Sequence, residues 1–136
     1  LCRFPPTKMP DLLAFAAEVQ RAGRSVELGR EVVRDNPLGI NEGATGEAQL
    51  WVLVSQVRQE LELSRKADVL ATDRGVMDNY AYYLRACGGV DEFEVYPLVR
   101  RWSRTYDLVV RLEDDRVVDV RVLERARDRK EPECDR

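Results

Sequence analysis

Ala67-Asp68-Val69-Leu70-Ala71-Thr72-Asp73-Arg74-Gly75-Val76-Met77-Asp78-Asn79-Tyr80 is the stretch on which the fold turns. Its apolar run over Val69–Thr72 is short and ends in a carboxylate, as a strand buried in a parallel sheet does. Gly75 then opens a helix that runs to Cys87 and is closed by Gly88-Gly89. A buried strand leading directly into a helix is half of a βαβ unit, so the flanking segments must supply the rest.

Upstream, a long helix is expected from Thr45 to Arg65, with Leu50, Trp51, Val54, Val57 and Leu61 as its apolar stripe. Before it, Arg24–Leu28 reads as a strand, Arg30–Arg34 as a short segment ended by Asn36-Pro37, and Leu38–Gly43 as a loop. Pro5, Pro6 and Pro10 make residues 1–10 an irregular start, after which Asp11 caps a helix over Leu12–Arg21 that stops at Gly23. Downstream, Tyr96–Thr105 reads as a short basic helix and Tyr106–Leu112 as a strand. Residues 113–136 form a charged, partly frayed lid or tail region.

This alternation predicts a single α/β domain over 1–136. In it the Val69–Thr72 strand is central and parallel to the strands around Val26 and Val109, with helices on both faces.

Composition narrows the chemistry. The 136 residues carry a net charge of −3, which argues against a dedicated nucleic-acid binder, and no apolar stretch is long enough for a membrane helix. There is no histidine, which removes Ser-His-Asp triads and His-containing zinc sites. Cys2, Cys87 and Cys134 never form a C-x-x-C pair, consistent with reduced thiols and a cytoplasmic location. All but three of the 22 basic residues (Lys8, Lys66 and Lys130) are arginine, a side chain suited to bidentate grips on phosphate or carboxylate.

Ligands of parallel sheets sit at the carboxyl ends of the strands, which places Glu31, Asp73 and Arg74 on one rim. A strand-end carboxylate holds Mg²⁺ through its water shell, and an adjacent arginine clamps phosphoryl oxygens. The plainer alternative makes Asp73 a helix cap and Arg74 a solvated side chain. Arg100, Arg101 and Arg104 read as a solvated face or a phosphate-side lid. Trp51, Tyr80, Tyr82 and Tyr83 read as core, with base stacking as the alternative.

Three segments in order, Glu31-Val32-Val33-Arg34, Ile40 through Trp51 and Asp73 through Tyr82, resemble the NadR-like AAA-type ATPase domain. That family is a P-loop group similar to nucleoside and thymidylate kinases, and the likeness spans about Gly23 to Leu112. It implies a P-loop three-layer sandwich that binds ATP and Mg²⁺ and phosphorylates a small acceptor. By the same resemblance Glu31 is the base and Arg34 faces the acceptor. Asp73 assists Mg²⁺ and Arg74 steadies the transferred phosphate. Gln49, Gln56 and Tyr80 line the acceptor side, and Arg116 and Arg121 belong to a lid.

Each of these residues also has an ordinary structural reading: a first-turn carboxylate for Glu31, a surface ion pair for Arg34, polar helix positions for the glutamines. The 136 residues contain no G-x-x-x-x-G-K-[ST] motif, which implies a fragment truncated at its N-terminus or a degenerate member. The alternative is a non-catalytic α/β module that binds a partner.

Overall fold

The computed structural model describes the backbone of residues 8–39, 44–113 and 116–122, and side chains over 12–39 and 44–111. In chain order the elements are helix α1 (Lys8–Arg21), strand β1 (Val26–Gly29), a 3-10 helix (Val32–Asp35) and helix α2 (Gly46–Leu63). Strand β2 (Val69–Thr72), helices α3 (Val76–Ala86) and α4 (Tyr96–Ser103), and strands β3 (Leu108–Glu113) and β4 (Arg116–Val122) follow.

β1 and β2 pair in parallel, with Val26 opposite Val69 and Gly29 opposite Thr72, so the chain is mixed α/β with a two-stranded parallel sheet and four helices among the described residues. A double clasp sets the register at the amino end. Both the backbone N–H and the hydroxyl of Ser25 donate to Asp68 Oδ2 at 2.9 Å, and the Asp68 N–H donates to Ser25 Oγ at 2.9 Å. These bonds, the backbone one foremost, hold the Asp68 carboxyl below the usual carboxylate range.

The expected third parallel strand is not in this sheet. β3 pairs antiparallel with β4 in a separate hairpin, Leu108 opposite Val122 and Glu113 opposite Arg116. A parallel neighbour needs a long crossover, whereas β3 and β4 are joined by two residues and close on each other. Within residues 113–136, expected to be a charged lid or tail region, 116–122 form strand β4.

α1 begins four residues before the expected first residue, at Lys8, with Pro10 in its first turn, where a missing backbone N–H costs no hydrogen bond. Asp11 accordingly lies inside the helix and not at its cap. α2 starts as expected: Thr45 accepts the Ala48 N–H at 3.2 Å as N-cap.

The inward face of α2 is not the expected stripe. Val54 and Leu61 are 49% and 47% exposed, while Ala48, Val52, Leu53, Gln56, Gln59 and Glu60 are buried. Leu53 joins Val76 of α3 and Val99 of α4 in the main core, with Val57, Tyr80, Val95 and Trp102 packed around them. Of the three buried polar side chains, Gln56 and Glu60 have hydrogen-bond partners, while Gln59 Oε1 has none.

Candidate functional site

A shallow, open cleft lies at the carboxyl ends of β1 and β2. Both strands terminate there, at Gly29 and Thr72, and the residues just beyond them, Glu31, Asp73 and Arg74, line it. The strand ends approach too closely for a side chain at Gly29: a Cβ there would lie 2.7 Å from Thr72 Cγ2 and 2.8 Å from Gln59 Oε1.

The expected rim converges. Arg74 Nη2 is 3.7 Å from Glu31 Oε1, and Arg34 Nε donates to Glu31 Oε2 at 3.1 Å. The Arg74 guanidinium also sits 5.6 Å from the centre of the Tyr82 ring, a cation–π arrangement that limits where it swings. Three buried polar atoms near the strand ends have no hydrogen-bond partner: Asp73 Oδ1, Arg74 Nε and Gln59 Oε1. The Asp73 and Gln59 oxygens accept and the Arg74 nitrogen donates.

Gln56 lies in the cleft wall, but its amide nitrogen is committed, donating to Glu60 Oε1 at 2.8 Å and to the Arg74 carbonyl at 3.0 Å. Asn79, 3% exposed, closes the wall from α3. Three expected residues lie elsewhere. Gln49 is half-buried on α2 away from the cleft, and Arg34 is an exposed side chain that reaches the rim only through Glu31. Tyr80 belongs to the core side of α3: its ring stacks on Tyr83 at 6.0 Å and its hydroxyl donates to Asp91 at 3.4 Å. Helical spacing explains the last case, since Asn79 and Tyr80 point in directions about 100° apart.

Arg116 and Arg121 sit in β4, opposite Glu113 and Val109; their side chains lie outside the described residues. Asp73 is not a helix cap: Gly75 is the N-cap of α3, and Asp78 Oδ2 accepts the Gly75 N–H at 3.0 Å.

Behind the cleft lies a cluster that inspection of the sequence misses. Glu60, 4% exposed, accepts from Trp102 Nε1 at 2.6 Å, from Gln56 and from the Tyr106 hydroxyl at 3.1 Å. The same hydroxyl accepts the Val76 N–H at 2.8 Å. Burial pushes the Glu60 carboxyl up, partly offset by the bonds from Trp102, Gln56 and Tyr106. Burial, and the Glu60 carboxylate beside it, push the Tyr106 phenol far up. The only sequence signal was Gln56 and Glu60 four apart on one helix, which surface residues show equally often.

Among the described residues no group of three or more carboxylates or thiols is placed to cage a metal ion. A hydrated Mg²⁺ needs less, one carboxylate and room for several waters; Asp73 lines the cleft, with its Oδ1 buried. The cleft carries no lysine; of its two arginines, Arg30 pairs with Asp35 at 2.7 Å and Arg74 Nη2 lies 3.7 Å from Glu31. No helix among the described residues is long and apolar enough to cross a membrane. Comparison with protein-family models, with curated proteins and with solved structures finds no match for the chain.

Proposed function

We propose that the chain carries the acceptor side of a phosphoryl-transfer site, in a nucleotide-handling module similar to P-loop nucleoside kinases. The observation that carries this reading is the meeting of Glu31, Asp73 and Arg74 at the carboxyl ends of two parallel strands, with Asp73 Oδ1 and Arg74 Nε unpartnered. Glu31, oriented by Arg34 and Arg74, accepts the proton of the attacking hydroxyl. Arg74 Nε donates to a phosphoryl oxygen, and Asp73 Oδ1 holds the water shell of Mg²⁺. Mg²⁺, when bound, neutralises charge on the phosphoryl oxygens. The grip on the nucleotide's own phosphates must come from a phosphate loop, a motif these 136 residues do not contain.

The test is an amide NMR titration with Mg²⁺ and a nucleoside monophosphate. Shifts centred on Gly29–Glu31 and Thr72–Gly75, lost in Asp73→Asn, are expected; shifts elsewhere, or none, defeat the reading. A second reading, a non-catalytic module that binds a partner, is favoured by the apolar exposure of Val54 and Leu61 on α2.

A further inference from the structure

Three polar residues of α2, Gln56, Gln59 and Glu60, are buried, while two of its large apolar residues are exposed. Val54 and Leu61, seven apart, are exposed, and Leu50, four before Val54, is half-buried beside them. Steps of four and seven residues keep these three on one face of the helix, the geometry in which one helix receives another. Trp51, half-buried, flanks this face, and Arg58 beside it is neutralised by Glu62 at 3.2 Å. The 18-residue helix offers about 27 Å of contact length.

Charge at the two ends of this face selects the partner. Glu47 is exposed in the first turn of α2, and Arg65 and Lys66 are exposed in the turn that follows it. The face is thus acidic at one end and basic at the other, the pattern that complements itself when two copies run antiparallel. Leu50 then meets Leu61 of the second copy, Val54 lies near the two-fold axis, and Glu47 meets Arg65 and Lys66 of the second copy. Antiparallel helices also oppose their dipoles favourably.

We propose that this chain forms a two-fold symmetric homodimer through the outer face of α2. One helix pair is a small interface, so the dimer is reversible and concentration-dependent. It stands independently of the cleft and its chemistry.

The test is sedimentation velocity of the whole chain over a hundredfold concentration range. The expected mass climbs from 15.7 kDa towards twice that value. Val54→Glu with Leu61→Glu is expected to remain monomeric at every concentration with an unchanged thermal melt, because both residues are at the surface. Arg65→Glu with Lys66→Glu weakens association about tenfold, and adding Glu47→Lys restores it. Should the added charge at the helix start lower the melt, the restored mass still decides. A wild-type chain monomeric throughout, a dimer that survives the two glutamates, or charge reversals that fail to compensate would each overturn the proposal.

Discussion

Trp102 donates its indole N–H to Glu60 across 2.6 Å, joining α4 to α2 over 42 residues of sequence. The same carboxylate takes Gln56 and Tyr106, and Gln56 in turn holds the carbonyl of Arg74. One buried acid therefore ties three elements to the rim of the cleft.

Truncating that acid leaves an indole, a phenol and an amide without an acceptor. Glu60→Ala is expected to cost about 3 kcal/mol in urea denaturation, and Glu60→Gln distinctly less. Because the folded carboxyl titrates above its unfolded value, the folded state binds the proton more tightly at mildly acid pH. Its contribution is fully present below the unfolded value and is lost as pH rises through the folded one. Glu60→Gln should flatten that part of the stability–pH curve, and an unaltered slope would assign it to another group.

Asp68 carries the opposite sign. Its carboxyl is depressed by the Ser25 bonds, so their stabilisation is present above the unfolded value and lost as pH falls through the folded one. Ser25→Ala removes the hydroxyl part of this clasp. Thermal melts of the two proteins are expected to converge at the acid end, and a constant gap would contradict the assignment.

Gly29→Ala drives a methyl into Thr72, whose β-branched side chain is stiff, and into Gln59. A loss of about 1–3 kcal/mol is expected by chemical denaturation, with disturbed amide signals at Thr72 and Asp73. Full stability would mean that the strand ends separate more easily than their spacing implies.

Asp73→Asn separates folding from function. Asp73 Oδ1 is buried without a partner, so neutralising the carboxylate is expected to leave stability unchanged or to raise it by up to about 1 kcal/mol. On the proposed reading, the same substitution is expected to abolish Mg²⁺-dependent shifts at the rim. A large loss of stability would show Asp73 to be structural.

Much of the local architecture was legible because its signals are local. Thr45 announced α2 and Gly88-Gly89 followed α3, where both glycines take positive φ. The apolar run ending at Asp73 marked β2 and, with Glu31 after β1, the rim itself. Placement at the carboxyl end follows from strand direction, which parallel pairing then makes common to both residues.

The failures share a different cause. Leu50, Val54 and Leu61 satisfy helical periodicity as well as any core stripe, yet Gln56, Gln59 and Glu60 face inward. Periodicity reports that a helix has an apolar side, not which side has hydrogen-bond partners waiting. Only the arrival of Trp102, Tyr106 and the Arg74 carbonyl from distant segments made a carboxylate and an amide affordable inside.

By itself, then, the sequence determined the helices, the strands of the parallel pair and the carboxylates and arginine at its carboxyl ends, because caps, glycines and apolar runs act over a few residues. The tertiary structure decided which face of α2 is buried, that β3 turns back on β4 instead of joining β1 and β2, and that Tyr80 is core while Asn79 lines the cleft. Those choices depend on contacts between residues tens of positions apart, whose energies no short window of sequence contains.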